Sequence, residues 1–327
     1  MHVEPRFMHR CLALAERGRG KVGTNPLVGA VLVRRGEVIA EGWHAGFGLP
    51  HAERVLLDGY HGDVDPEDVL YVNLEPCCHR GKTPPCTEIL QERGVKRVVY
   101  GMIDPNAQMA GKGIEALRRA QVECIGPFER ARCEWMNRGF VSLHTKSRLW
   151  VTLKRAQLRD GEIAAPGGAS LKITSASQDR WAHEWLRGRH DAILVGVQTV
   201  ITDDPLLTVR SDRALPSPLR IVLDPHCRIP PGARIISGAL AAGTVVIVGP
   251  EAESAKCRQL RGRGVQVLEV PLLDRRFDYS ALWRVLMTPT DGFHGIASVL
   301  VEGGAKTWQS FREEGAIDEE VILMGDG

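Results

Sequence analysis

The chain carries almost no charge imbalance. In 327 residues, 42 Lys and Arg face 40 Asp and Glu, a net +2. A dedicated nucleic-acid binder shows a basic face or stripe, so that class is set aside. Small-molecule substrates fit better, with local Arg and Lys to handle phosphate. No apolar run approaches the roughly 18–20 residues of a membrane span, which argues against a membrane partner. Residues 1–20 are interrupted by Arg and Glu and do not read as a signal peptide. The eight cysteines (Cys11, Cys77, Cys78, Cys86, Cys124, Cys133, Cys227 and Cys257) are scattered through a long chain, unlike a short disulfide framework. A reducing cytoplasm is therefore the expected compartment. There is no convincing internal repeat and no low-complexity segment. No G-x-G-x-x-G dinucleotide fingerprint stands in a βαβ context.

What is present is globular material, 43% hydrophobic and 25% charged, in a length that favours two domains. Phe7, Met8, Cys11, Leu12 and Leu14 recur at helical spacing over 5–17. Val28 to Val33 and Glu37 to Ala40 read as a hairpin across Arg35-Gly36. A helix is expected over 51–57, a strand over 71–74, and a turn or helix from Pro76. A strand over 95–100, a helix over 113–120, a strand over 122–125 and a helix over 129–143 follow. A boundary is expected near 143–147, giving domains 1–145 and 146–327. In the second, strands are expected at 150–154, 192–195, 219–223, 244–248, 265–270 and 297–301. Helices are expected at 177–187, 252–261, 279–287 and 305–314. Strands alternating with helices imply α/β architecture on a partly parallel sheet.

The most informative stretch runs from His51 to Cys86. It places His51-Ala52-Glu53 before Pro76-Cys77 and Cys86. One His and two Cys can hold zinc at three corners of a tetrahedron and leave the fourth for water. A Glu two residues after the His, not itself a ligand, can move that water's protons. This is the H-x-E and P-C arrangement of the zinc-dependent nucleobase deaminases. A structural zinc site is the alternative, with Cys78 or His79 supplying a fourth ligand. The Cys77–Cys86 spacing exceeds the usual P-C-x-x-C and points to one branch of that class.

Thr24-Asn25-Pro26-Leu27-Val28-Gly29, Pro50-His51-Ala52-Glu53 and Leu74 to Cys86 (LEPCCHRGKTPPC) together resemble the RibD family of bifunctional riboflavin biosynthesis proteins. The resemblance implies a cytidine-deaminase-like three-layer α/β domain followed by a dihydrofolate-reductase-like α/β domain. The first would deaminate a diaminohydroxy-pyrimidine ribosylamine phosphate. The second would reduce its ribosyl group with NADPH. His51, Cys77 and Cys86 would be the Zn2+ ligands and Glu53 the proton shuttle. Asn25, His79 and Lys82 would contact pyrimidine or phosphate, although Asn25 before Pro26 also reads as a turn residue and Lys82 as a solvated charge.

The reductase resemblance rests on Val151 to Lys154, Asp160-Gly161, Ile173 to Ser175, Asp191 to Gly196, Thr199 to Arg210 and Val301 to Ala305. Gly303-Gly304 stands between a strand and a helix, where backbone amides can hold a cofactor phosphate. By the family's pattern, Thr199, Asp203, Gly304, Ala305 and Lys306 would touch NADPH. Ser170, Arg187, Leu207, Arg210 and Glu302 would touch the ribosyl phosphate, Arg187 otherwise reading as a solvated helix residue. Gln157-Leu158-Arg159, Glu162 and Lys172 depart from the family's usual residues. The chain stops at Gly327, soon after a strand expected over 321–324, where the family usually continues. A short or fragmentary C-terminus is expected, and the alternative function is a monofunctional deaminase with a degenerate or truncated reductase domain. The resemblance also implies a homo-oligomer, dimer or larger, built through the reductase domain.

Overall fold

Short β-branched runs alternating with amphipathic helices build two α/β units. The computed structural model describes residues 3–79, 84–159, 173–213 and 215–325. The chain divides into Met1–Ser147 and Arg148–Gly327.

In the first unit, α1 (Pro5–Ala15) starts with Pro in its first turn and buries Phe7, Met8, Cys11 and Leu14. The hairpin β1 (Gly29–Arg34) and β2 (Glu37–Trp43) turns through Arg35 and Gly36, both at positive φ, which suits the right-handed twist of paired strands. α2 (Ala52–Gly59), β3 (Val69–Val72), α3 (Cys86–Glu92), β4 (Arg97–Tyr100), α4 (Lys112–Arg119) and β5 (Glu123–Ile125) follow, then α5 (Arg130–Met136) and α6 (Arg138–Lys146). The sheet order is β2-β1-β3-β4-β5. β1 is antiparallel to both neighbours, whereas β3, β4 and β5 run parallel. Five of the six residues of β1 are buried, as expected of a strand covered on both faces. Gly42 allows α2 to approach: a Cβ there would lie 2.4 Å from the Ala52 carbonyl oxygen and 2.6 Å from Leu56 N. This contact sets the first turn of α2 against β2.

Three expectations shift. The third strand occupies 69–72 rather than 71–74, because Asn73 and the residues after it leave the sheet. Pro76, expected to begin a turn or helix, lies on chain without regular structure; among the described residues the next helix begins at Cys86 with Pro85 as its N-cap. The helix expected over 129–143 is two helices separated at Asn137, whose amide is engaged by Leu27.

The second unit opens with β6 (Trp150–Leu158) and continues through α7 (Ala176–Trp181), β7 (Ala192–Gly196), α8 (Val197–Asp203), β8 (Leu219–Leu223), β9 (Thr244–Val248), α9 (Ser254–Gly262) and β10 (Gln266–Glu269). A two-residue hairpin pair, β11 (Leu272–Leu273) and β12 (Arg276–Phe277), precedes α10 (Tyr279–Met287), β13 (Ser298–Val301), α11 (Ala305–Glu313) and β14 (Glu319–Gly325). Its seven-stranded sheet has the order β10-β9-β8-β7-β13-β6-β14, and every pairing is parallel. β9 and β13 are buried throughout, the pattern of a parallel sheet covered on both faces. α8 and the β11–β12 hairpin have no counterpart in the sequence reading. The helix expected over 177–187 is α7 followed by a π-helical turn over Ala182–Leu186.

Candidate active sites

The first site forms where α2 begins. His51 is the N-cap of α2, and Glu53 lies in its first turn. Cys86 opens α3, and Cys77 sits on the extended strap after β3. The Nδ1 of His51 lies 3.5 Å from Cys77 Sγ and 3.4 Å from Cys86 Sγ. A zinc ion with tetrahedral bonds of about 2.0 Å to nitrogen and about 2.3 Å to sulfur would separate N and S by about 3.5 Å. All three donor atoms lie within 4.8 Å of one another. The donors therefore fit zinc both in softness and in spacing.

Electrostatics follow from this crowding. The Cys86 thiol and then the His51 ring act against burial to bring the Cys77 thiol down to about 4, helped by the Cys86 backbone N–H, which donates to Cys77 Sγ at 3.3 Å. The hydrogen bond to Cys77 raises His51 above its ordinary value. Glu53 is 3% exposed; burial, then the negative Cys77, push its carboxyl up to about 7. A carboxyl held near neutrality can both accept and return a proton.

A cavity of about 570 Å³ adjoins these groups, and Asn25, His79, His51, Glu53 and Cys77 all line it. Asn25 Nδ2 donates to His44 Nε2 at 3.2 Å, and His44 Nδ1 donates to the Pro50 carbonyl at 3.1 Å. The Pro50 carbonyl can only accept, so Nδ1 carries a proton, and Nε2 accepts from the Asn25 amide. Burial, against the Pro50 hydrogen bond, lowers the His44 pKa. His44 also meets the His51 ring edge-on at 5.7 Å. Lys82 lies outside the described residues. The sequence reading missed His44, Glu75, Phe140 and His144, which also line the cavity, as do Asp104 and Asn106. The position of His44 at the end of β2, just before the loop into His51, was the available signal.

The second unit holds a cavity of about 480 Å³ beside the middle of β6 and the end of β13. Thr199, Asp203, Glu302, Gly304 and Ala305 line it together, and Lys306 follows, exposed, in the first turn of α11. Arg187 is not solvated: Nε and Nη2 each donate to Glu302 at 2.9 Å, and Nη1 donates to the Thr208 carbonyl at 3.1 Å. Lys154 Nζ lies 3.8 Å from the same carboxylate. Leu207 is buried at φ +52°, packed into the apolar core. Arg210 is exposed; its backbone N–H donates to His183 Nδ1 at 3.0 Å. Ser170, Glu162 and Lys172 lie outside the described residues. Trp308 was missed; Arg155 and Arg312 stand over its ring at 4.6 and 3.9 Å.

A His–Cys–Cys site with a buried Glu in the first unit, and in the second a parallel sheet whose glycine turn leads into α11, are the features of a zinc deaminase joined to a reductase. The model of the cytidine and deoxycytidylate deaminase zinc-binding region matches residues 1–102, and that of the RibD C-terminal domain matches 149–325. Riboflavin biosynthesis protein RibD of Aquifex aeolicus is 40% identical over 331 residues, spanning 99% of this chain and 89% of that protein. The structure of Acinetobacter baumannii RibD superposes with a TM-score of 0.80 at 33% identity, over 98% of this chain and 86% of that one. That of the Thermotoga maritima diaminohydroxyphosphoribosylaminopyrimidine deaminase/5-amino-6-(5-phosphoribosylamino)uracil reductase gives 0.77 at 36% identity, over 94% and 83%. The chain belongs to the RibD family and is a bifunctional deaminase and reductase of riboflavin biosynthesis. Its cofactors are zinc in the deaminase half and NADPH in the reductase half. Both halves are matched by their family models. No helix among the described residues is long and apolar enough to cross a membrane.

Proposed function

We propose that residues 1–145 deaminate a diaminohydroxy-pyrimidine ribosylamine phosphate and that residues 146–327 reduce the ribosyl group of the product. The observation that carries the first half is the 3.4–3.5 Å spacing of His51, Cys77 and Cys86 beside a buried carboxyl. His51, Cys77 and Cys86 would hold the zinc, which would supply an activated water when bound. Glu53 is placed to accept a proton at its buried carboxylate and to return it to the leaving amine. Burial keeps its carboxyl up at about 7, so both directions of transfer are accessible near neutral pH. Asn25, His79 and Lys82 orient the pyrimidine or its phosphate, with His44 fixing the Asn25 amide.

In the second half NADPH supplies the hydride. Thr199, Asp203 and the amides of Gly304, Ala305 and Lys306 at the start of α11 seat the cofactor. Ser170, Arg187, Leu207, Arg210 and Glu302 shape the ribosyl phosphate site, Leu207 through its backbone because its side chain is packed inward. The Arg187–Glu302–Lys154 cluster fixes a carboxylate at the cavity rather than leaving a free cation. The enzyme works in the cytoplasm on small phosphorylated pyrimidines, as a homo-oligomer joined through the reductase half.

The test is Glu53→Gln in the full chain, assayed for ammonia release from the ribosylamine phosphate. One zinc per chain with deamination reduced by about a thousandfold is expected. Full activity with zinc bound refutes the assignment. NADPH oxidation on the deaminated product, followed separately, tests the second half.

A further inference from the structure

The cavity of the first unit has two backbone walls, and one short strap of chain reaches both. The strap is Asn73 to Cys77, the segment that leaves the sheet after β3. Asn73 and Glu75 are 0% and 5% exposed. Asn73 accepts from Gly29 N–H at 2.8 Å and donates to the Leu27 carbonyl at 2.9 Å, holding the segment that follows Asn25-Pro26. Glu75 turns to the other wall. Its Oε2 accepts from Asp104 N–H at 3.1 Å and Gly111 N–H at 2.9 Å. Its Oε1 accepts from Gly113 N–H at 2.8 Å and Ile114 N–H at 3.3 Å. Cys77, two residues on, is one of the two metal-site sulfurs.

Four backbone donors on one buried carboxylate is a complete use of its acceptors. Two of those donors belong to the first turn of α4, whose N-cap is Gly111 at φ +76° with no side chain to offer. Glu75 thus caps α4 from another part of the chain, where a negative charge is also favoured by the helix dipole. The wall it secures, residues 104–113, brings Asp104, Asn106, Gln108 and Met109 to the cavity. The approach is tight: a Cβ on Gly113 would lie 1.9 Å from the Pro76 carbonyl oxygen. Glu75 itself lines the cavity, but its carboxylate oxygens are spent on the wall rather than turned to a ligand.

We propose that Glu75 is a positioning residue for deamination, fixing the 104–113 wall in register with Cys77 so that substrate is held at a set distance from the metal site. This rests on the assignment of the 570 Å³ cavity as the pyrimidine site. Glu75 acts on where the substrate lies and not on proton transfer, so its loss falls on KM more than on kcat.

The experiment uses the full chain with Glu75→Gln. The amide of Gln turns one acceptor oxygen into a donor, which then faces two N–H groups and releases half of the clasp. Expected are one zinc per chain, a KM for the ribosylamine phosphate raised about tenfold, and a kcat within about threefold of wild type. Reductase turnover on the deaminated product stays unchanged. An unchanged KM overturns the proposal. So does loss of zinc with a proportional fall in kcat, which would make Glu75 a support of the metal alone. Amide hydrogen exchange on the unmodified protein provides a second measurement that does not depend on the variant folding. Asp104, Gly111, Gly113 and Ile114 should exchange as slowly as β4; rates of an open loop show that the clasp is absent. The Glu53→Gln measurement separates the two readings: if that variant deaminates normally, the site assignment fails, whereas the Glu75 result alone leaves it standing.

Discussion

Arg187→Met should unbalance the second unit in a way that depends on pH. Glu302 is inside the fold, its side chain 9% exposed. Burial alone would push its carboxyl up, but the charge and two hydrogen bonds of Arg187, with Lys154 adding to them, bring it down to about 2 from an ordinary 4.5. The difference corresponds to about 3 kcal/mol of stability. Because the folded value is depressed, that stability is present above 4.5 and is lost as pH falls toward 2. Without Arg187 the effect of burial dominates, and the remaining cation, Lys154 at 3.8 Å, offsets only part of it. The folded pKa then rises above 4.5 and the sign reverses: the contribution is held at low pH and lost as pH rises through the new value. Breaking a buried pair costs about 3–5 kcal/mol at pH 7, and the penalty at pH 5 should be smaller by about 1 kcal/mol. His183, brought down to about 4 by burial and then by Arg187 and Arg210, moves in the same direction when Arg187 is removed. Arg187→Met combined with Glu302→Gln isolates the Glu302 share, since only the His183 part of the pH difference should survive. The assay is urea unfolding of the full chain at pH 5 and pH 7, followed by tryptophan fluorescence, with each transition fitted separately. An equal penalty at both pH values refutes the reasoning.

Removing zinc with a chelator should abolish ammonia release and leave NADPH oxidation on the deaminated product intact, because each cavity is lined by residues of its own unit. Joint loss of both activities in the two separate assays counts against this. Gly42→Val should lower the stability of the first unit by about 1–3 kcal/mol, through collision with the Ala52 carbonyl and Leu56 N. It should also weaken zinc retention, since His51 precedes the displaced turn; thermal unfolding and metal content measure the two effects.

Much of the molecule is legible in the sequence because its elements follow short-range rules. The Val28–Val33 run with its Arg35-Gly36 turn, and the apolar strands at 192–195 and 244–248, declare themselves through β-branched composition. α8 does not, since Thr199-Val200-Ile201-Thr202 argues locally against a helix. Burial of Val197 and Val200 overrides that preference. The break at Asn137 is equally hidden. Its cause is a pair of hydrogen bonds to Leu27, 110 residues away, and no window on the sequence contains both partners. Pro76 misleads because a proline suits a helix start, and it is Pro85 that stands at one, as the N-cap of α3.

The same division runs through the first site. His51, Glu53, Cys77 and Cys86 carry chemistry in their side chains, so residue type and spacing announce them. His44 and Glu75 act by satisfying other groups: one orients the Asn25 amide, the other holds four backbone N–H groups. Nothing in a carboxylate's identity distinguishes a proton carrier from a backbone clasp; the surroundings decide. Glu53 is buried against Cys77 with its carboxyl raised to about 7, the condition for exchanging protons. Glu75 is buried at the start of a helix with every acceptor filled, the condition for holding backbone in place. On the proposed assignments, two glutamates of one cavity have opposite duties. A sequence reading that looks only for reactive groups finds the first and passes over the residue that holds the wall facing it.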